Sequence, residues 1–393
     1  MERTKQSDLN ALVERRIQQK LASGMINVQK ATTRLQEEGK ISKDFIFQVG
    51  TERKGIETNI HFVPDPTIAG RKVGANFIFP ENNPDPLMRG PKHYDLHMHA
   101  VRQVAGRLNI PSAYITTLLM GEEWQQTLGY RILNDHNNWT YRDKVLVRAV
   151  GTEVRAFMSD QYRRLDSEMI FGTHIDELFK QGAQLSDGYM DDTRVMVESL
   201  LPKPIAIHTE LNGIILVAFG TRISTSDYGD GALELRSFVM QGVCLNGLVR
   251  ESILRQKHLG AKLKEDMALS EETYRLDSMT TASAIRDYTR QLYSSDTVRT
   301  RMLEIKAASS QTVEPENILS NLFLTGKLLK GESEEIGRVL MRNSARDGLQ
   351  GEATLWKMTQ GITSYANNEG VSERRRMELQ EIAGDLFKKA TSN

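Results

Sequence analysis

Residues 144–158 and 213–243 each hold two apolar runs joined by a short turn, and this arrangement restricts the chain more than any other. Lys144–Val150 is followed by Gly151-Thr152-Glu153 and then by Val154–Met158. Gly213–Ser224 and Ala232–Val243 flank the turn-rich Ser226-Asp227-Tyr228-Gly229-Asp230-Gly231. Parallel neighbours need a crossover of about a dozen residues or more, so runs joined this closely pair antiparallel. Phe45-Ile46-Phe47, Ile60–Val63 and Asn76–Phe79 are short apolar runs bounded by Gly and Pro, and read as further strands. Thr193–Leu200 and Ile205–Thr209 read the same way. Three prolines between Pro80 and Pro86 mark a loop.

The helical signals lie outside these runs. From Asp8 to Glu38, Leu9, Leu12, Val13, Ile17, Leu21, Val28, Ala31 and Leu35 form a narrow apolar stripe among charges. Gly24 interrupts it and leaves room for two shorter helices. Such a stripe suits an arm on a neighbouring molecule or a peripheral helix. Asp95–Leu108, a segment opened by Pro111, and Glu122–Asn134 read as helices, the proline being tolerated in a first turn. From Asn246 onward the pattern is almost wholly helical, beginning with Gly247–Asp266 behind a tight turn at Asn246-Gly247. The expected fold is α+β: antiparallel β-hairpins with helices in an N-terminal body, followed by a mainly helical C-terminal half. The expected division is an arm over 1–42, a body over 43–250 and a helical region over 251–393.

Charge narrows the function. Lys plus Arg and Asp plus Glu both total 51, a formal net charge of zero, so any polyanion site needs local segregation of charge. Cys244 is the only cysteine, which rules out an intrachain disulfide and a multi-cysteine zinc site. The apolar run Ile214–Phe219 is far too short to span a bilayer, and the N-terminus has no apolar leader core. A soluble, cytoplasmic protein without membrane contact is expected.

Two basic regions stand out. The first hairpin carries Arg142, Lys144 and Arg148 before its turn and Arg155, Arg163 and Arg164 after it, with Tyr141 and Tyr162 at the flanks. Tyrosine stacks on bases and arginine tracks phosphates. Asp143, Glu153, Asp160 and Asp166 offset part of this charge. In the second region, a helix from Asn246 would place Arg255, His258 and Lys262 on one face. Against a nucleic-acid role, charged faces are often just solvated, and Cys244 reads as a small buried hydrophobe. His97 and His99, in His93-Tyr94-Asp95-Leu96-His97-Met98-His99, are weak metal candidates. No catalytic residue is assigned, since the chain has no Walker A loop, dinucleotide fingerprint or nucleophile elbow.

Val154–Asp166, Val243–Gly247 and Leu355–Tyr365, with Ala100–Tyr114 and Gly220–Gly231, resemble the signature blocks of a phage- and plasmid-borne family known as domain of unknown function 932. The likeness runs from His97 to Tyr365. It departs from the family pattern at Thr359-Gln360-Gly361 and at Thr225-Ser226-Asp227. The resemblance implies a bacteriophage or mobile-element origin near replication and recombination genes, and no established activity. The expected function is therefore a phage DNA-metabolism protein that binds single-stranded DNA, of annealing type, as a homo-oligomer without a cofactor. The binding residues would be Arg148, Arg155, Tyr162, Arg163, Arg164, Arg255, His258 and Lys262. The alternatives are a self-assembling structural protein and a metal-dependent nuclease.

Overall fold

The computed structural model describes residues 2–64, 73–160, 162, 165–242, 246–256, 271–346 and 353–391. The first half runs α1 (Glu2–Ile41), β1 (Ser42–Gln48), α2 (Thr51–Lys54), β2 (Ile60–Pro64), β3 (Val73–Phe79), β4 (Gly90–Leu96), α3 (Met98–Arg107), α4 (Ser112–Leu119), α5 (Glu123–Trp139), β5 (Lys144–Val150) and β6 (Glu153–Met158). It continues with α6 (Ser167–Lys180), β7 (Gln184–Met190), β8 (Val195–Leu200), β9 (Ile205–Thr209), β10 (Gly213–Thr225), β11 (Leu233–Gln241) and β12 (Asn246–Gln256). Six helices follow: α7 (Glu271–Leu292), α8 (Ser295–Ser310), α9 (Pro315–Leu324), α10 (Lys330–Arg346), α11 (Leu355–Ala366) and α12 (Glu373–Thr391). The fold is α+β, with strands gathered in the first two thirds and helices at the end. Among the described residues no helix is long and apolar enough to cross a membrane.

Both hairpins form as the turns require. β5 pairs antiparallel with β6, and β10 with β11. The first sheet has the order β1-β5-β6-β4-β3-β2 and is antiparallel except where β4 meets β6. The ring of Phe47 on β1 lies 5.2 Å from Phe79 on β3, four places away in that order. A flat sheet would separate those strands by about 19 Å, so the sheet curls around its aromatic core. Helices α3, α4 and α5 pack against that core through Val101, Val104, Ile115, Leu119 and Leu133. The outer edge of β2 does not stay open. Asn134 of α5 bonds both the N–H and the C=O of Phe62, at 2.8 and 2.9 Å, and so stands in for a neighbouring strand.

The second sheet has the order β12-β11-β10-β8-β7, with β9 also on β10. α1 is a single helix, and its stripe packs on this sheet. Val13, Ile17 and Leu21 meet Leu200, Leu216, Ala218, Phe238, Met240 and Val249. Gly24 is therefore a point of contact, not a break. A Cβ there would lie 2.1 Å from the Ser186 carbonyl. Gly24→Ala is expected to lower the unfolding free energy by about 1–3 kcal/mol through overpacking. Gly39→Ala, in the same helix with open space around it, should stabilise by about 0.5–1 kcal/mol through helix propensity. Equal urea midpoints for the two variants would refute this account.

The expected helix at Gly247–Asp266 is corrected. Residues Asn246–Gln256 form β12, and Asn246-Gly247 pairs with Gln241 and Met240 of β11 instead of turning. The free edge of β11 offers a ladder of backbone bonds, and Leu248 and Val249 are both buried there, one toward each side of the sheet. Gly247 has the ring of Phe238 where a Cβ would stand. Cys244 and the rest of the expected helix beyond Gln256 lie outside the described residues. β4 and β7 are strands that the sequence did not disclose.

Candidate nucleic-acid interface

Of the residues expected to bind nucleic acid, the four that are described, Arg148, Arg155, Tyr162 and Arg255, are engaged within the chain. On β5, Arg148 donates from Nε and Nη2 to the two carboxylate oxygens of Asp44, both at 2.7 Å, and from Nη1 to the Asp227 carbonyl at 2.6 Å. Burial opposes its charge, but the Asp44 carboxylate more than restores it, so its pKa stays above the usual arginine value. Arg155 on β6 binds Glu38 of α1 at 2.6 Å and Glu153 at 3.1 Å. The Tyr162 hydroxyl donates to the Ser226 carbonyl at 2.8 Å. Burial pushes that phenol well above its ordinary pKa. Arg255 is exposed but sits on β12, 3.0 Å from Glu234 directly across on β11. Its expected helical face with His258 and Lys262 is not formed at Arg255, and those two residues, like Arg163 and Arg164, lie outside the described residues.

These contacts converge on the loop 226–231. Ser226 Oγ accepts from the N–H groups of Tyr228 and Asp230, which tightens the turn. The carbonyls of Ser226, Asp227 and Tyr228 are thereby presented outward, to Tyr162, to Arg148, and to Gln103 and His99. The loop fastens the second sheet to the first. Next to it is a cavity of about 610 Å³ lined by Asp44, Asp166, Glu168 and Asp227 as well as Arg148 and Lys40. So many carboxylates repel a phosphate backbone. His97 is not available as a ligand from both nitrogens: its Nδ1 caps α3 by accepting from His99 N–H. His99 Nε2 meets the Tyr228 carbonyl at 2.9 Å. Among the described residues, no group of three His, Cys, Asp or Glu is arranged to hold a metal ion.

A different surface has the chemistry those residues were expected to supply. At the end of α5, Trp139, Thr140, Tyr141 and Arg142 lead into β5. Trp139 is 61% exposed and Tyr141 88% exposed. They border a groove of about 610 Å³ whose other walls include Arg107, Asn109, Asp135 and His136. The connection is pinned from below by the segment after β1. Gly50, at φ +69°, donates to the Asn137 carbonyl at 2.9 Å, and a Cβ there would lie 2.3 Å from the Thr140 carbonyl. Arg53 donates to the Thr140 carbonyl at 3.1 Å, and its guanidinium stands 5.4 Å from the Tyr141 ring centre. Across the groove, α3 ends in a Schellman-type turn, with Asn109 at φ +58° and Ile110 N–H bonded to the Ala105 carbonyl.

Two arginines line this groove. Arg142 Nε donates to the Arg107 carbonyl at 2.9 Å, and Arg107 Nη2 to the Lys144 carbonyl at 3.2 Å. Among the described residues neither makes an ion pair. Burial, and next the charge of Arg142, push the Arg107 pKa down to about 10, with Asp160 partly offsetting them. Arg53 and Lys54 share Asp143, at 3.3 and 3.0 Å. Sequence reading picked out Tyr141 and Arg142 as part of the first basic region but missed Trp139 and Arg107. The run Trp139-Thr140-Tyr141-Arg142 carries part of the signal, while Arg107 enters through tertiary structure alone. Comparison with known proteins returned no family model, no curated protein and no solved structure that matches the chain.

Proposed function

We propose that the protein binds single-stranded nucleic acid in the Trp139–Tyr141 groove, with single-stranded DNA as the polymer expected from the sequence. One observation carries this reading. Two largely exposed aromatic rings stand beside two guanidiniums that have no carboxylate partner among the described residues. Aromatic rings normally contribute most by being buried, so a paired exposure beside unbalanced cations marks a contact surface. Unpaired bases present their faces to such rings, whereas a duplex keeps its bases stacked on one another. Each base stacked on an aromatic side chain adds about 1–3 kcal/mol.

The zero net charge fits a site that relies on stacking and a few phosphates. With two to four cations engaged, the slope of log affinity against log salt should lie between about −1.4 and −2.8. The test is fluorescence anisotropy of a labelled oligothymidine across a salt series. Trp139→Ala combined with Tyr141→Ala should weaken binding by about thirtyfold or more, the equivalent of two weak stacks. An unlabelled duplex of the same length should compete poorly. Affinity unchanged in the double variant, or no binding at low salt, would refute the reading. Annealing of complementary strands is the activity to assay once binding is established.

A further inference from the structure

The Arg107–Arg142 pair sets a charge requirement on whatever fills the groove. Both guanidiniums are oriented by bonds to backbone carbonyls, Lys144 for Arg107 and Arg107 for Arg142. Each spends one N–H in this way and keeps the rest of its planar fork for a ligand. One acid, Asp135, borders the groove, and the other acids nearby are engaged elsewhere or set back. Asp143 holds Arg53 and Lys54, Asp135 lies 3.7 Å from Arg131, and Asp160 acts on Arg107 only from beyond ion-pair distance. Half-buried Arg107 and exposed Arg142 carry like charges that repel each other, and a bound anion relieves that repulsion.

The size of that charge separates two kinds of phosphate. A phosphodiester within a strand carries a single negative charge and balances one arginine. A terminal phosphate monoester carries about −1.5 to −2 near neutral pH and balances both. It also presents three oxygens, enough for bonds from two forks at once. The groove has a volume of about 610 Å³ and is open to solvent.

We propose that Arg107 and Arg142 hold the terminal phosphate monoester of a nucleotide unit whose base lies on Trp139 or Tyr141. The site then recognises the end of a strand. This rests on the nucleic-acid reading of the groove and narrows it. Asn109 and the exposed edge of His136 border the same space. The His136 Nδ1 donates to the Leu108 carbonyl at 3.3 Å, which leaves its Nε2 directed elsewhere.

Four probes test the proposal with the full-length protein: one oligothymidine bearing a 5′-phosphate, the same strand bearing a 3′-phosphate, the unphosphorylated strand, and free thymidine monophosphate. At least one phosphorylated strand should bind about tenfold more tightly than the unphosphorylated one, a difference expected from charge-assisted hydrogen bonds. Arg107→Gln and Arg142→Gln should each abolish that difference, beyond any weakening that all strands share. Urea midpoints close to that of the wild type report that the variants are folded. Thymidine monophosphate binding as tightly as the better strand, and lost in Arg107→Gln, would support the phosphate site and assign it to free nucleotides. Equal affinity of all three strands, still weakened by the Trp139/Tyr141 double variant, would overturn end recognition and leave the groove reading intact. Strands that bind equally well to the wild type and to the aromatic double variant would overturn both.

Discussion

Arg148→Ala should lower the unfolding free energy by about 3–5 kcal/mol and leave oligonucleotide affinity of the folded protein unchanged, because the variant strands the carboxylate of Asp44, its partner on the neighbouring strand β1. Asp44 takes two bonds from this guanidinium, and the Asp227 carbonyl takes a third. Asp44 keeps a quarter of its side chain in water, so solvent screens part of the loss and the lower end of the range applies. Arg148→Met with Asp44→Asn removes both charges together and should recover much of the stability. Arg142→Ala should behave in the opposite way, with little change in stability and a clear loss of affinity for the end-phosphorylated strand. Urea unfolding and anisotropy on the same four proteins give a direct comparison. Weakened binding in folded Arg148→Ala would return the nucleic-acid face to the first hairpin.

Acid should destabilise the protein strongly through one buried histidine. His174 of α6 has no exposed surface. Its Nδ1 faces Thr289 Oγ1 at 2.9 Å and its Nε2 faces Thr221 Oγ1 at 3.2 Å. Thr289 gives its own hydroxyl proton to the Ile285 carbonyl, so it accepts from Nδ1–H and the neutral ring accepts at Nε2. Ser199 and the buried Tyr293 complete the chain of hydroxyls. Burial holds the His174 pKa down to about 3. The unfolded chain takes up this proton near pH 6.5, well before the native state does. Stability is therefore complete above about pH 6.5 and falls as the pH drops toward 3, by about 1.4 kcal/mol per unit and on the order of 5 kcal/mol in all. His174→Gln removes the titration, so its stability should change much less between pH 7 and 4. Parallel pH profiles for the two proteins would refute the assignment.

What the sequence discloses depends on how far apart the partners are. The two hairpins were legible because their turns are local. The strand β12 was not, because its helical pattern of charges competes with the open edge of β11, a tertiary neighbour. Arg148 and Arg155 looked like binding residues because local counting cannot see Asp44 and Glu38, which lie 104 and 117 positions away. Asp143 and Glu153, the acids visible nearby, explain only part of the compensation. The groove was half legible. Tyr141 and Arg142 stood out beside a basic hairpin, while Arg107 reaches them only because α3 packs across the end of β5.

The placement of α1 affects how the chain is made. Lys20 waits for Asp187, 167 residues further along, and the apolar stripe waits for strands later still. At roughly 5–20 residues per second, a ribosome needs about 10–50 seconds to supply them. During that interval Val13, Ile17 and Leu21 are on a nascent helix with no sheet to cover them. A ribosome-associated chaperone that binds short apolar segments would find a target in this uncovered stripe.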